Sequence, residues 1–136
     1  MHEVRITIRW RDMDPYGHVN NAVYLNYLEE CRDAWVHEVL GSMTDTWDFV
    51  LAHVEIDFRS ELRQEDGEVL IRCRLDSYGR SSVRTRERIL KADGTVAAEA
   101  SSVLVPRDPK TGRSRPLTDQ ERAALADERN IDASST

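Results

Sequence analysis

Two hydrophobic periods divide this chain. Over residues 3–11, Val4, Ile6, Ile8 and Trp10 alternate with Glu3, Arg5, Thr7, Arg9 and Arg11, the two-residue repeat of a strand with one buried face. The next stretch, Asp12-Met13-Asp14-Pro15-Tyr16-Gly17-His18-Val19-Asn20-Asn21, is dense in turn formers and supports no regular element. From Ala22 the period lengthens. Tyr24, Leu28, Cys31, Trp35 and Val39 recur at steps of three and four, which predicts an amphipathic helix. Asn20 or Asn21 is its natural N-cap and Gly41 its stop. A helix of that span is roughly 30 Å long at 1.5 Å per residue.

Alternation then returns. Val50, Ala52, Val54, Ile56 and Phe58 form one strand pattern, and Val69, Ile71, Cys73 and Leu75 a second. Gly79-Arg80 turns the chain into a third over 81–91. Asp93-Gly94 is a hairpin signal before a fourth over 95–105. Short links predict antiparallel neighbours. Pro106, Pro109 and Gly112 break the pattern. Leu117–Asp127 is predicted as a short helix capped by Thr118, with Glu121 at capping-box spacing. The reading is one domain over residues 1–130, with 131–136 a disordered tail.

One long helix and a set of strands with one apolar face have a single way to bury both, so the predicted class is α+β: one helix wrapped by a curved antiparallel sheet of about five strands. The opposite sheet face collects His53, Glu55, Asp57, Arg59, Arg72, Arg74, Arg84, Arg86 and Arg88, read as a solvated or subunit-facing ion ladder.

Composition narrows the function. The 136 residues are 40% hydrophobic, enough for a core. No run approaches the 20 or so apolar residues of a membrane span, and the N-terminal stretch alternates where a secretory signal would be continuously apolar. A cytoplasmic protein with no membrane association is expected. The net charge of −6 argues against a general nucleic-acid binder. Cys31 and Cys73 sit at apolar positions without metal-type spacing and read as small core hydrophobes.

Chemistry concentrates in Asp12–Asn21, between a strand end and a helix start, where unpaired N–H groups can stabilise an oxyanion. Asp14, His18, Asn20 and Asn21 all lie near that end; the same residues also suit a capped loop. Other assignments fail on the residues. Pro15-Tyr16 and the lack of βαβ units exclude an aspartate-nucleophile phosphatase. There is no G-x-S-x-G, H-E-x-x-H or P-loop motif. A metal held by Asp12, Asp14 and His18 would find few further ligands nearby. Cys31 and His37 stand on different helix faces.

The run from Arg11 to Tyr24, continuing through Tyr27-Leu28-Glu29-Glu30-Cys31-Arg32, resembles the hotdog-fold acyl-CoA thioesterases, most of all the 4-hydroxybenzoyl-CoA thioesterase branch with its D-x-D-x-x-G-H-V-N-N-x-x-Y signature. Phe58–Leu62, Tyr78–Ser82 and Val96–Ala100 extend the resemblance over about residues 4–106. It implies a hotdog fold, hydrolysis of a CoA thioester without metal or cofactor, and a homodimer or tetramer with sites at the subunit interface. The family's catalytic carboxylate maps to Asp14 and its oxyanion-binding backbone N–H to Asn21, with a weaker role for His18. Tyr24 is placed at the border of the acyl pocket. Arg80, beside Ser81 and Ser82, is placed to face the nucleotide tail, whose phosphates need cations or backbone donors. Glu29 and Arg32 are expected to pair on the helix surface, and Trp35, Trp47 and Phe49 to pack or to close the pocket. Two other functions fit the same resemblance: a thioesterase acting on acyl carrier protein, and a non-catalytic acyl-CoA-binding module.

Overall fold

The computed structural model describes residues 1–42 and 48–134; Trp47 lies outside them. Its order is β1 (His2–Thr7), α1 (Asn21–Leu40), β2 (Phe49–Phe58), β3 (Glu68–Tyr78), β4 (Val83–Lys91), β5 (Val96–Pro106) and α2 (Asp119–Ser134). The five strands form one antiparallel sheet in the order β1-β3-β4-β5-β2. This is the expected α+β arrangement.

The apolar stripe of α1 is what seats it on the sheet. Tyr24, Tyr27, Leu28, Cys31, Trp35, Val36 and Leu40 are all buried, and they meet Val69, Ile71, Cys73, Leu75, Val83 and Ile89. Burying such side chains contributes roughly 1.5–3 kcal/mol each before entropy is counted. Asn20 is the N-cap: its side-chain oxygen accepts from the Ala22 N–H at 2.8 Å. Both cysteines are free and buried, and burial pushes the Cys31 thiol up to about 12, which removes it as a nucleophile at neutral pH.

Four expectations are corrected. First, β1 ends at Thr7, and residues Trp10–Asp12 form a 3₁₀ turn; Trp10 is therefore exposed instead of continuing the apolar face. Second, β2 does not neighbour β3 despite their short link. It forms the far edge, beyond β5, with which it pairs from Phe49 opposite Pro106 to Phe58 opposite Ala98. Third, register shifts in β2 between Leu51 and His53, so the two-residue alternation changes phase there. Leu51 now stands opposite the buried Leu104, and the helix-facing set becomes Phe49, Leu51, Val54, Ile56 and Phe58. Fourth, α2 runs through Ser134, beyond the expected 117–127 and into the stretch expected to fray. Its start is as read: Thr118 Oγ1 accepts from the Glu121 N–H while a Glu121 carboxylate oxygen accepts from the Thr118 N–H.

The outer sheet face carries the ion ladder. Arg72 pairs with Glu3, Arg86 with Asp76, and Arg88 and Arg59 with Glu99. No described helix is long and apolar enough to cross a membrane.

Candidate active site

The loop before α1 is built around its first aspartate. Asp12 is buried and accepts from the Tyr27 hydroxyl at 2.7 Å and the Arg9 N–H at 3.0 Å on one oxygen, and from the Arg9 guanidinium at 3.3 Å on the other. Burial alone would raise its pKa; the Arg9 and Tyr27 hydrogen bonds outweigh that and hold it below the usual carboxylate range. Fully engaged in this way, Asp12 is a structural pin. Its backbone carbonyl accepts from the Asn20 N–H, and Met13 bridges to Val19, closing the loop on itself.

Asp14 stands at the other end of that tight loop. Its Oδ1 accepts from the Tyr16 N–H at 2.9 Å and the His18 N–H at 3.4 Å, and its backbone pairs with His18. Its Oδ2 has no partner among the described residues. Gly17 permits the reversal because its φ is +86°, where a side chain would be strained.

The helix start opens into a hollow of about 200 Å³ lined by His18, Val19, Asn21, Tyr24, Phe58 and the Arg59–Glu61 segment. Asn21 begins α1, and its N–H finds no acceptor among the described residues. The His18 ring lies 3.4 Å from the Glu61 carboxylate. Tyr24 holds the far wall. Its hydroxyl donates to the Ser60 carbonyl at 3.1 Å and accepts from the Leu62 N–H at 3.0 Å, while its ring meets Phe58 edge-on at 5.1 Å. Burial, the largest influence, pushes the Tyr24 phenol up.

Of the residues singled out in the sequence, His18, Asn21 and Tyr24 therefore share one hollow. Asp14 is beside it in the same loop but does not line it. Arg80, Ser81 and Ser82 are elsewhere. They form the β3–β4 turn, closed by the Gly79 N–H to the Ser82 carbonyl and held to the segment before α2 by the Leu117 N–H to the Arg80 carbonyl. That turn is at the opposite end of the sheet from Phe58: Phe58 stands opposite Ala98, and Val83 opposite Leu104. Six residues of β5 separate the two levels, about 20 Å.

Sequence reasoning gave Glu61 and Ser60 no role, although both lie in the Phe58–Leu62 segment that carries part of the resemblance. It also misplaced Arg32. Instead of pairing with Glu29, Arg32 is buried against Ser102 and Glu87. Trp35 is wholly buried and does not close a pocket. Among the described residues no group of three His, Cys, Asp or Glu side chains is arranged to hold a metal.

Known proteins share this arrangement. The profile of the thioesterase-like superfamily matches residues 8–125. The long-chain acyl-CoA thioesterase FadM of Escherichia coli is 29% identical over 129 residues, 90% of this chain and 96% of that protein. A chloroplastic acyl-acyl carrier protein thioesterase of Arabidopsis thaliana is 29% identical over 84% of this chain and 66% of its own length. The crystal structure of a thioesterase from Thermus thermophilus, complexed with coenzyme A and Zn, superposes with a TM-score of 0.85 at 32% identity, covering 95% of this chain and 94% of that one. With the matched profile spanning most of the chain, and the same helix-on-sheet architecture throughout, the chain belongs to the thioesterase-like superfamily and is a hotdog-fold thioester hydrolase.

Proposed function

We propose that this protein hydrolyses acyl-CoA thioesters to a carboxylate and free CoA, with Asp14 as the reacting carboxylate and the Asn21 N–H as oxyanion donor. The observation that carries the reading is the unpaired Asn21 N–H at the first turn of α1, opening into a hollow beside a carboxylate with one uncommitted oxygen. A thioester carbonyl placed on that N–H is polarised by one directed donor and by the positive end of the helix. Two routes then balance. In one, Asp14 Oδ2 attacks the carbonyl carbon, the C–S bond breaks, the CoA thiolate leaves and takes up a proton, and water cleaves the resulting anhydride. In the other, Asp14 removes a proton from a water whose oxygen attacks the carbonyl carbon; the tetrahedral adduct collapses with cleavage of the C–S bond, and the CoA thiolate leaves and takes up that proton. In this reading His18, whose ring lies 3.4 Å from the Glu61 carboxylate, hydrogen-bonds water or the substrate.

The substrate site extends beyond one chain. In this reading Arg80, Ser81 and Ser82 meet the CoA tail through a second subunit. The 20 Å separation within the chain supports this, as does the open edge of β2, where Leu51 and Phe58 are 45% and 46% exposed. A homodimer paired along β2 brings the two ends of neighbouring sheets together.

The test is thiol release from a panel of short, long and aromatic acyl-CoAs by the wild type and by Asp14→Asn. The expected result is release by the wild type and a loss of at least about 100-fold in the variant, the scale of a removed general base. Unchanged release in Asp14→Asn overturns the mechanism. Tight acyl-CoA binding without release overturns hydrolysis in favour of a binding module. The Arabidopsis relative favours one second reading, acyl carrier protein as thiol carrier; faster turnover of acyl-carrier-protein substrates than of the matching acyl-CoAs would establish it.

A further inference from the structure

The hollow at the N-terminus of α1 is one of two on the same seam. α1 packs on β1, β3 and β4, and between it and β2 the sheet surface is made of small or half-buried side chains. Phe58, Ile56 and Val54 face the helix opposite Ala98, Ala100 and Ser102. A second hollow of about 400 Å³ opens farther along this seam, where Glu29, Arg32 and Asp33 of α1 face Phe49, Leu51 and Leu104.

The lining changes character at that point. At the first hollow the helix side is Asn21 and Tyr24; at the second it presents Glu29, Arg32 and Asp33 before Val36, while the strand side stays apolar with Phe49, Val50 and Leu51. Arg32 is only 4% exposed, and its Nη1 reaches Ser102 Oγ at 3.3 Å and Glu87 Oε1 at 3.6 Å. Thr85 donates a further hydrogen bond to Glu87. Arg32 Nε and Glu87 Oε2 are both enclosed and find no hydrogen-bond partner. A buried ion pair left incomplete in this way is costly already, and removing more water from its surroundings adds to the cost. Asp33, beside it, is raised by burial first and by Glu29 second, so its charge also loses by further desolvation.

Resting on the acyl-CoA reading above, we propose that the Glu29–Arg32–Asp33 turn is a polar stop in the acyl groove, which sets the length of unsubstituted acyl chain the protein accepts. A chain whose carbonyl sits on the Asn21 N–H runs along the apolar stretch of the seam and halts where its methylenes would press on these groups. Glu29 lies eight residues beyond Asn21, about 12 Å along the helix axis. With carbon–carbon bonds of about 1.5 Å meeting near 111°, an extended chain advances about 1.25 Å per carbon. The groove therefore accommodates about ten carbons. The buried pair is a specificity determinant and has no part in the bond-breaking step.

The experiment measures kcat/KM over saturated acyl-CoAs of about six to eighteen carbons, together with Kd for the matching alkyl-CoA thioethers, which cannot be hydrolysed. In the wild type each methylene improves both by roughly four-fold until about ten carbons, after which the gain ceases. Arg32→Met/Glu87→Met replaces both charges by apolar groups of similar size. It extends the rise, so that the ratio of long-chain to medium-chain kcat/KM grows by about ten-fold or more. Asp33→Leu, at an exposed position of the helix, shifts the ratio the same way without touching the core and serves if the double variant does not fold. A wild-type profile that climbs unbroken to the longest chain, or one identical in the wild type and the folded variants, overturns the polar stop and leaves hydrolysis standing. A break in thioether binding that moves in the variants, with no thiol released from any acyl-CoA, supports the stop and overturns hydrolysis. Failure of every thioether to bind overturns the stop.

Discussion

The two aspartates of the loop before α1 should separate cleanly in a stability experiment. Asp12→Ala removes the acceptor of the buried Tyr27 hydroxyl and of the Arg9 N–H. Hydrogen bonds to a charged acceptor contribute about 1.5 kcal/mol or more each, and the Tyr27 hydroxyl is left buried without a partner. The Arg9 guanidinium is half-exposed and adds little. The expected loss is about 3 kcal/mol, or about 10 °C in Tm for a domain of this size. Asp14→Asn, whose partners are two backbone N–H groups on an exposed loop, should stay within about 0.5 kcal/mol of the wild type. Urea unfolding of both variants, with Tyr27→Phe and the Asp12→Ala/Tyr27→Phe double variant, gives a thermodynamic cycle. A coupling of about 1–2 kcal/mol between Asp12 and Tyr27 is expected for a short buried bond. An Asp12→Ala loss below about 0.5 kcal/mol, or additive single variants, would refute the assignment of Asp12 as the pin.

Three further outcomes follow from the same geometry. Asp12 and Glu121 are both held below the usual carboxylate range; in each, burial opposes the shift, while hydrogen bonds from Arg9 and Tyr27 in one case and from Arg115 and Thr118 in the other prevail. The unfolded chain therefore binds more protons than the folded one in acid. Their stabilisation is complete above the ordinary carboxylate range and is lost as pH falls through the folded values; Glu121→Gln should flatten the acid limb of a Tm-against-pH curve, and an unchanged limb would remove Glu121 from the account. Tyr24→Phe leaves the buried Leu62 N–H without its acceptor and should cost about 1–3 kcal/mol, with a raised KM because the wall of the hollow is released; thermal melts and substrate titration check each part. Light scattering should give the mass of a dimer at micromolar concentration. A monomer that still turns over acyl-CoA would show that the site needs no second subunit.

Much of the architecture was legible in local pattern. The change from a two-residue to a 3.6-residue period at Ala22 marked α1, and Asn20, Asp93-Gly94 and Thr118 with Glu121 marked a cap, a hairpin and a second helix start. Such signals work because each depends on residues within a few positions of one another, where backbone preference and one face's burial act directly. The loop holding Asp14, His18 and Asn21 was legible as a turn into a helix start for the same reason, while the roles proposed for those residues came from the family resemblance.

What only the tertiary structure decided depends on partners far apart in the chain. Nothing near β2 says that it pairs with β5 at the far edge, and the phase change beyond Leu51 that turns Phe49 and Leu51 toward the helix exists only in register with β5. Asp12 and Asp14 are the same residue type two positions apart, yet Tyr27, a full fifteen residues on, makes one a buried pin and leaves the other an open oxygen. Arg32 is drawn away from Glu29 by Glu87 and Ser102, which reach it across the core. The separation of Arg80 from the helix start is likewise a property of the sheet, because antiparallel strands send neighbouring turns to opposite ends. Short-range sterics and periodicity thus specify the elements, and long-range pairing determines which of their side chains can meet.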